Sequence, residues 1–270
     1  MTKINSLFLG LLLVGLIGLT TSCSSTKQNK KNSELALDYI LGHVRDTLVE
    51  SKKSYGDLIA TVLAETSLTP EAKEKLSNHL VQFFSGDVLY TKVQEYYMRS
   101  LGQEYFNMVA GELANEGPYK LHNKERLDLD PNNYQAFIKS RKAVPDWDAR
   151  EDIIETFDEL NKVSATLMAS FHNMHQVLIT ALALAGTPPS EVQRLDQSLQ
   201  RLEADIQLQT VHFIKEAMKY TYQDFSKDEL LFLKSIYERP SMRQIFNRVE
   251  EAIGQAYASQ LGAFKAAYKP

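Results

Sequence analysis

His172 and His175 stand one helical turn apart, with Met168 and Met174 beside them and His212 farther along the chain. Imidazole and thioether donors gathered in this way suit a soft or borderline metal ion such as copper or zinc. Zinc and iron sites on helices usually add carboxylates at fixed spacing, and no Glu-Xaa-Xaa-His or His-Glu-Xaa-Xaa-His run is present. The same histidines therefore also fit solvent-facing or interhelical positions. The reading is no resident metal and no other cofactor, with His172, His175 and His212 as the candidate ligands. Asp128-Leu-Asp130 opens like a calcium loop, but Asn133 stands where the loop needs Gly and Lys139 where it needs a bidentate Glu. A solvated turn explains it. There is no Gly-Xaa-Ser-Xaa-Gly and no phosphate-cradling glycine loop, so nothing here reads as an enzyme.

Cys23 is the only cysteine, which leaves no partner for a disulfide, a thiolate zinc site or an iron–sulfur cluster. Its place gives it another use. Lys3 supplies a charged start, Leu7 to Leu19 an apolar run too short for a membrane span, and Thr20-Thr21-Ser22 a small-residue approach to the cysteine. Residues 1–22 are read as a lipoprotein signal peptide and Cys23 as the acylated first residue of the mature chain. An ordinary secretory signal or an uncleaved anchor would leave the position of a sole cysteine to chance. Residues 23–33 continue as a lipidated, polar, flexible tether with no apolar residue to bury after Cys23. Ser24, rather than Asp, after the cysteine points to the periplasmic face of an outer membrane.

These groups need elements to hold them, and the remaining sequence is built for helices. Gly and Pro are few and concentrated at a handful of breaks. Leu37, Leu41, Val44, Leu48, Tyr55, Leu58 and Val62 form a helical stripe over Glu34 to Thr66, and Ile153, Phe157, Leu160, Leu167, Phe171, Met174, Leu178, Ala181 and Ala185 form another over Ala149 to Ala185. Asp148 and Glu151 are spaced as a capping box for the second. Helical segments are also expected at Pro70–Phe84, Val88–Tyr97, Glu104–Asn115, Ser190–Tyr222, Lys227–Glu238 and Met242–Tyr268, and no stretch alternates like a strand. The fold class is all-α. The net charge of −4 supplies no basic face, which argues against a nucleic-acid partner.

A single offset pairs Leu41 with Leu160, Leu48 with Leu167, Ser51 with Ser170, Leu63-Ala64 with Leu182-Ala183 and Pro70 with Pro189. A slightly larger one pairs Tyr97 with Tyr222 and Glu104 with Glu229. The expected architecture is a helical bundle of two similar tandem halves, 34–120 and 148–270, joined by a connecting segment at 121–147.

In the second half, Tyr222 leads through Phe225, Ser226, Glu229 and Leu230 to Tyr237 and Pro240. This resembles the DUF2059 family of bacterial envelope proteins, whose C-terminal part reads Phe-Thr/Ser, Glu-Leu, aromatic-Tyr, two residues, Pro and a Gly, with Met242 here at the place of the Gly and Ile236 at that of the first aromatic. The resemblance covers roughly Asp152 to Leu261, and it implies an envelope protein with no established activity. Physically the signature reads as structure. Ser226 and Glu229 are spaced as a capping box, Phe225 and Leu230 as the hydrophobic staple around it, and Pro240 as the end of one helix and first turn of the next. Glu229 and Tyr237 as an acid/base pair would lie about two turns apart on one helix. The functional expectation is a membrane-anchored, non-catalytic interaction or structural lipoprotein that touches the membrane through its lipid and holds an envelope protein partner. The alternative is a periplasmic ligand or metal carrier with a site between the halves.

Overall fold

The computed structural model describes residues 40–50, 52–114 and 146–269; Cys23, the segments read as signal peptide and tether, and the Asp128–Lys139 stretch read as a solvated turn lie outside them. The described residues form helices and no strand. In chain order these are α1 (Gly42–Glu50), α2 (Lys52–Ala64), α3 (Pro70–Phe84), α4 (Gly86–Ala114), α5 (Trp147–Asn161), α6 (Val163–Leu184), α7 (Pro189–Thr221), α8 (Lys227–Tyr237), α9 (Pro240–Phe246) and α10 (Val249–Ala267). The all-α bundle follows from the sequence stripes, and the breaks follow from local chemistry.

The long helix expected over Ala149–Ala185 is two helices, because Lys162 takes a left-handed conformation (φ 59°) between α5 and α6. The periodicity runs through this break because Asp158 rebuilds the helix start: its carboxylate accepts from the Ser164 amide at 2.8 Å and from the Ser164 hydroxyl at 2.6 Å. The Asp148–Glu151 capping box does not form; Asp146 is the N-cap, without a side-chain hydrogen bond, and Glu151 pairs with Lys219 instead. The segments expected at Val88–Tyr97 and Glu104–Asn115, the latter as far as Ala114, become the two arms of α4, which bends at Gly102 (φ 80°, ψ 161°). The segment expected at Met242–Tyr268 is divided into α9 and α10 around Asn247–Arg248.

Pro70 and Pro189 both stand in the first turn of a helix that follows directly on another, where the missing amide costs nothing. The offset that pairs Tyr97 with Tyr222 also carries Gly102 onto Lys227, the first residue of α8, so the chain breaks at matching places in the two halves.

The halves nevertheless share one core. α6 lies against α7, α10 and α1, while α10, from the C-terminal end, lies against α3 and α4. Leu76, Leu80 and Phe84 of α3 and Leu89, Val93 and Tyr97 of α4 join Ile253, Tyr257 and Phe264 of α10 in that core. The Tyr97 hydroxyl donates to the Ile245 carbonyl at 2.9 Å, which fastens α4 to α9. Gly86 is needed where α4 begins, since a Cβ there would sit 2.0 Å from the Leu48 carbonyl oxygen of α1.

The capping box on α8 forms as spaced. The Ser226 amide donates to Glu229 Oε2 at 2.8 Å and the Glu229 amide to Ser226 Oγ at 3.3 Å, with Phe225 and Leu230 fully buried on either side. Ser226→Ala is expected to cost about 1 kcal/mol in a chemical denaturation series, whereas Glu229→Gln, whose amide oxygen accepts the same hydrogen bond, should stay within about 0.5 kcal/mol. An equal loss for both variants would show that charge, not capping, is what Glu229 supplies.

Candidate functional site

α6 and α7 form an antiparallel hairpin that turns at 185–188, and this decides the fate of the histidines. His175 is buried, its side chain 2% exposed. Its two ring nitrogens meet two carboxylates of α7: Nδ1 lies 3.2 Å from Glu203 Oε2 and Nε2 lies 2.8 Å from Asp196 Oδ1. His172, exposed one turn earlier, puts Nδ1 2.8 Å from the other oxygen of Glu203. Gln200 donates to the second oxygen of Asp196 at 3.0 Å.

The sequence singled out the histidines and missed Asp196 and Glu203. The signal was available, since the two acids are two turns apart on α7 and the hairpin brings them opposite His175 and His172. His212 is not part of the group; it lies exposed farther along α7. Met174 is fully buried in the core and Met168 packs against it, so both thioethers are used in packing. The cluster belongs to one hairpin of the second half rather than to a space between halves. Among the described residues no group of three or more His, Cys, Asp or Glu is placed to hold a metal ion. His175 directs its two nitrogens to separate carboxylates on either side of the ring, not toward one common point.

A second charged group joins α5 to α7. Lys219 is buried, and its ammonium pairs with Glu151, with Glu155 at 3.0 Å and with Glu216 at 3.0 Å. Burial works against its charge, but the hydrogen bonds to Glu151, Glu155 and Glu216 outweigh burial and hold it above the ordinary lysine value. The hydrogen bond from Lys219 in turn pulls Glu155 below the usual carboxylate range. A lysine held charged is no nucleophile, so this group fastens helices together.

Arg150, one turn into α5, was not foreseen. Its Nη1 donates to the carbonyls of Gln223 at 3.0 Å and Phe225 at 2.8 Å, and its guanidinium lies over the Trp147 ring, 5.2 Å from the centroid. It pins the turn that carries the signature. The signature aromatics then converge on Phe157 of α5: Tyr222 at 4.9 Å and Tyr237 at 5.7 Å between ring centroids, both edge to face, with Phe225 against Tyr222 and Phe246 against Tyr237. Glu229 is held in its capping box and Tyr237 is buried in this aromatic group, so the two do not form an acid/base pair.

Pro240 opens onto the surface. The second arm of α4 and the start of α9 enclose a groove of about 650 Å³ lined by Tyr105, Met108, Glu112, Arg239, Pro240, Ser241 and Gln244. The Tyr105 hydroxyl donates to the Ser241 carbonyl at 2.6 Å and the Ser241 hydroxyl to Glu112 at 2.8 Å, which sets the floor, while Met108 stands 48% exposed.

Compared with protein-family models, curated proteins and solved structures, the chain finds no match. Among the described residues no helix is long and apolar enough to cross a membrane.

Proposed function

We propose that the protein is an envelope lipoprotein anchored through Cys23, whose helical domain works without catalysis as an interaction or structural module, as the DUF2059 resemblance implies. One observation carries the interaction reading: the signature corner buries its aromatic groups, closes Ser226 and Glu229 on each other in the capping box, and leaves beside Pro240 a groove with an exposed Met108. A groove with an apolar wall and a polar rim is what a partner segment packs against. The remaining charged groups support the same reading, because Glu229, Arg150 and Lys219 are each spent on holding helices and turns.

A photoreactive residue placed at Met108 in the native, membrane-bound lipoprotein should give one discrete adduct with an envelope protein, and the same residue at the exposed Gln193 on α7 should not. Identical crosslinking from both positions would overturn the groove as the contact surface.

A further inference from the structure

The donor count at His175 has a chemical consequence. A neutral imidazole carries hydrogen on one nitrogen and a lone pair on the other, whereas the imidazolium donates from both. Carboxylates only accept. With Glu203 3.2 Å from Nδ1 and Asp196 2.8 Å from Nε2, both contacts are hydrogen bonds only when the ring carries two hydrogens.

We propose that His175 is held as an imidazolium and makes the α6–α7 hairpin a proton-dependent joint. The charged groups on the ring are Asp196 and Glu203 from α7, with His172 on α6 sharing Glu203; among the described residues, α1, α5 and α10, the other helices packed on α6, bring no charged group into ion-pair contact with it. Loss of the proton to solvent leaves a lone pair facing a carboxylate. The shorter bond to Asp196 is the one a neutral ring keeps, and Glu203 already has His172 as a second partner. The joint therefore releases at Glu203, toward the middle of α7, while the end near the hairpin turn stays closed.

Folding takes up a proton wherever the unfolded histidine is neutral, so this contribution to stability falls as pH rises above neutrality, by up to tenfold in the unfolding constant per pH unit for one proton. Nitrogen NMR of the full chain labelled in histidine reads the state directly. At about pH 7.5, roughly one unit above the ordinary histidine value of about 6.5, both nitrogens of His175 should give protonated shifts, with assignment by a His175→Gln variant. Asp196→Asn offers the ring a carbonyl or an amide as needed, so a neutral ring is satisfied and the pH dependence of unfolding between neutral and mildly alkaline pH should flatten. A neutral ring in the wild-type chain overturns the proposal, and so does an Asp196→Asn chain whose pH dependence equals that of the wild type. If Asp196→Asn or His175→Gln does not fold, the wild-type spectrum decides, the His175 signals then assigned by elimination through single Gln substitutions at the five other histidines, His43, His79, His122, His172 and His212.

Discussion

Cys23→Ala is expected to abolish incorporation of a fatty-acid analogue and to release the protein from the membrane fraction. The sequence has no other thiol to acylate. A diacylglycerol with an amide-linked third chain holds a protein far beyond the range in which a single chain binds reversibly, since each buried methylene contributes about 0.8 kcal/mol. The described helices offer no replacement, as none is apolar and long enough to span a bilayer. Loss of label and of membrane association together would fit the proposal. A variant that still takes up label, or that fractionates unchanged, would remove Cys23 as the anchor and with it the envelope assignment built on residues 1–33.

The second large effect is expected in the core at Phe157. Its ring is fully buried and receives Tyr222 and Tyr237 edge to face, so truncation to Ala removes the common partner of two signature aromatics and leaves a cavity beside α8. Phe→Ala changes in such places cost about 3 to 5 kcal/mol, which is several times the cost expected for Ser226→Ala. Denaturant unfolding of the two variants beside the wild type measures the ratio. A loss near 1 kcal/mol at Phe157 would mean that the signature corner can collapse around the gap, and that the aromatic group is not what holds α8 to α5. Arg150 acts on the same junction from the polar side: its Nη1 donates to both the Gln223 and Phe225 carbonyls while its planar guanidinium covers the Trp147 ring, a stacking that a lysine ammonium cannot reproduce.

Much of this fold is legible in the chain because its causes are local. The stripes of α3, α7 and α8, the prolines that open α3, α7 and α9, and the Ser226–Glu229 box depend on residues within one or two turns of each other. Helical periodicity and capping act at that range, so composition and spacing alone determine the helix class, the main helical segments and the structural character of the signature. The breaks at Lys162 and at Asn247–Arg248 are less visible, because the apolar rhythm continues across them and Asp158 or a local turn restarts the helix. Other features depend on partners far along the chain. Asp196 and Glu203 become partners of His175 and His172 only when α6 and α7 fold back on each other, Lys219 gathers Glu151 and Glu155 from α5, and α10 returns to pack on α3 and α4. Spacing along one helix says which residues share a face, but not which face of another helix will cover it. That choice is made by burying all the apolar stripes at once, and tertiary packing therefore turned candidate metal ligands into a histidine clamp, while the family-like signature became the aromatic corner beside an open groove.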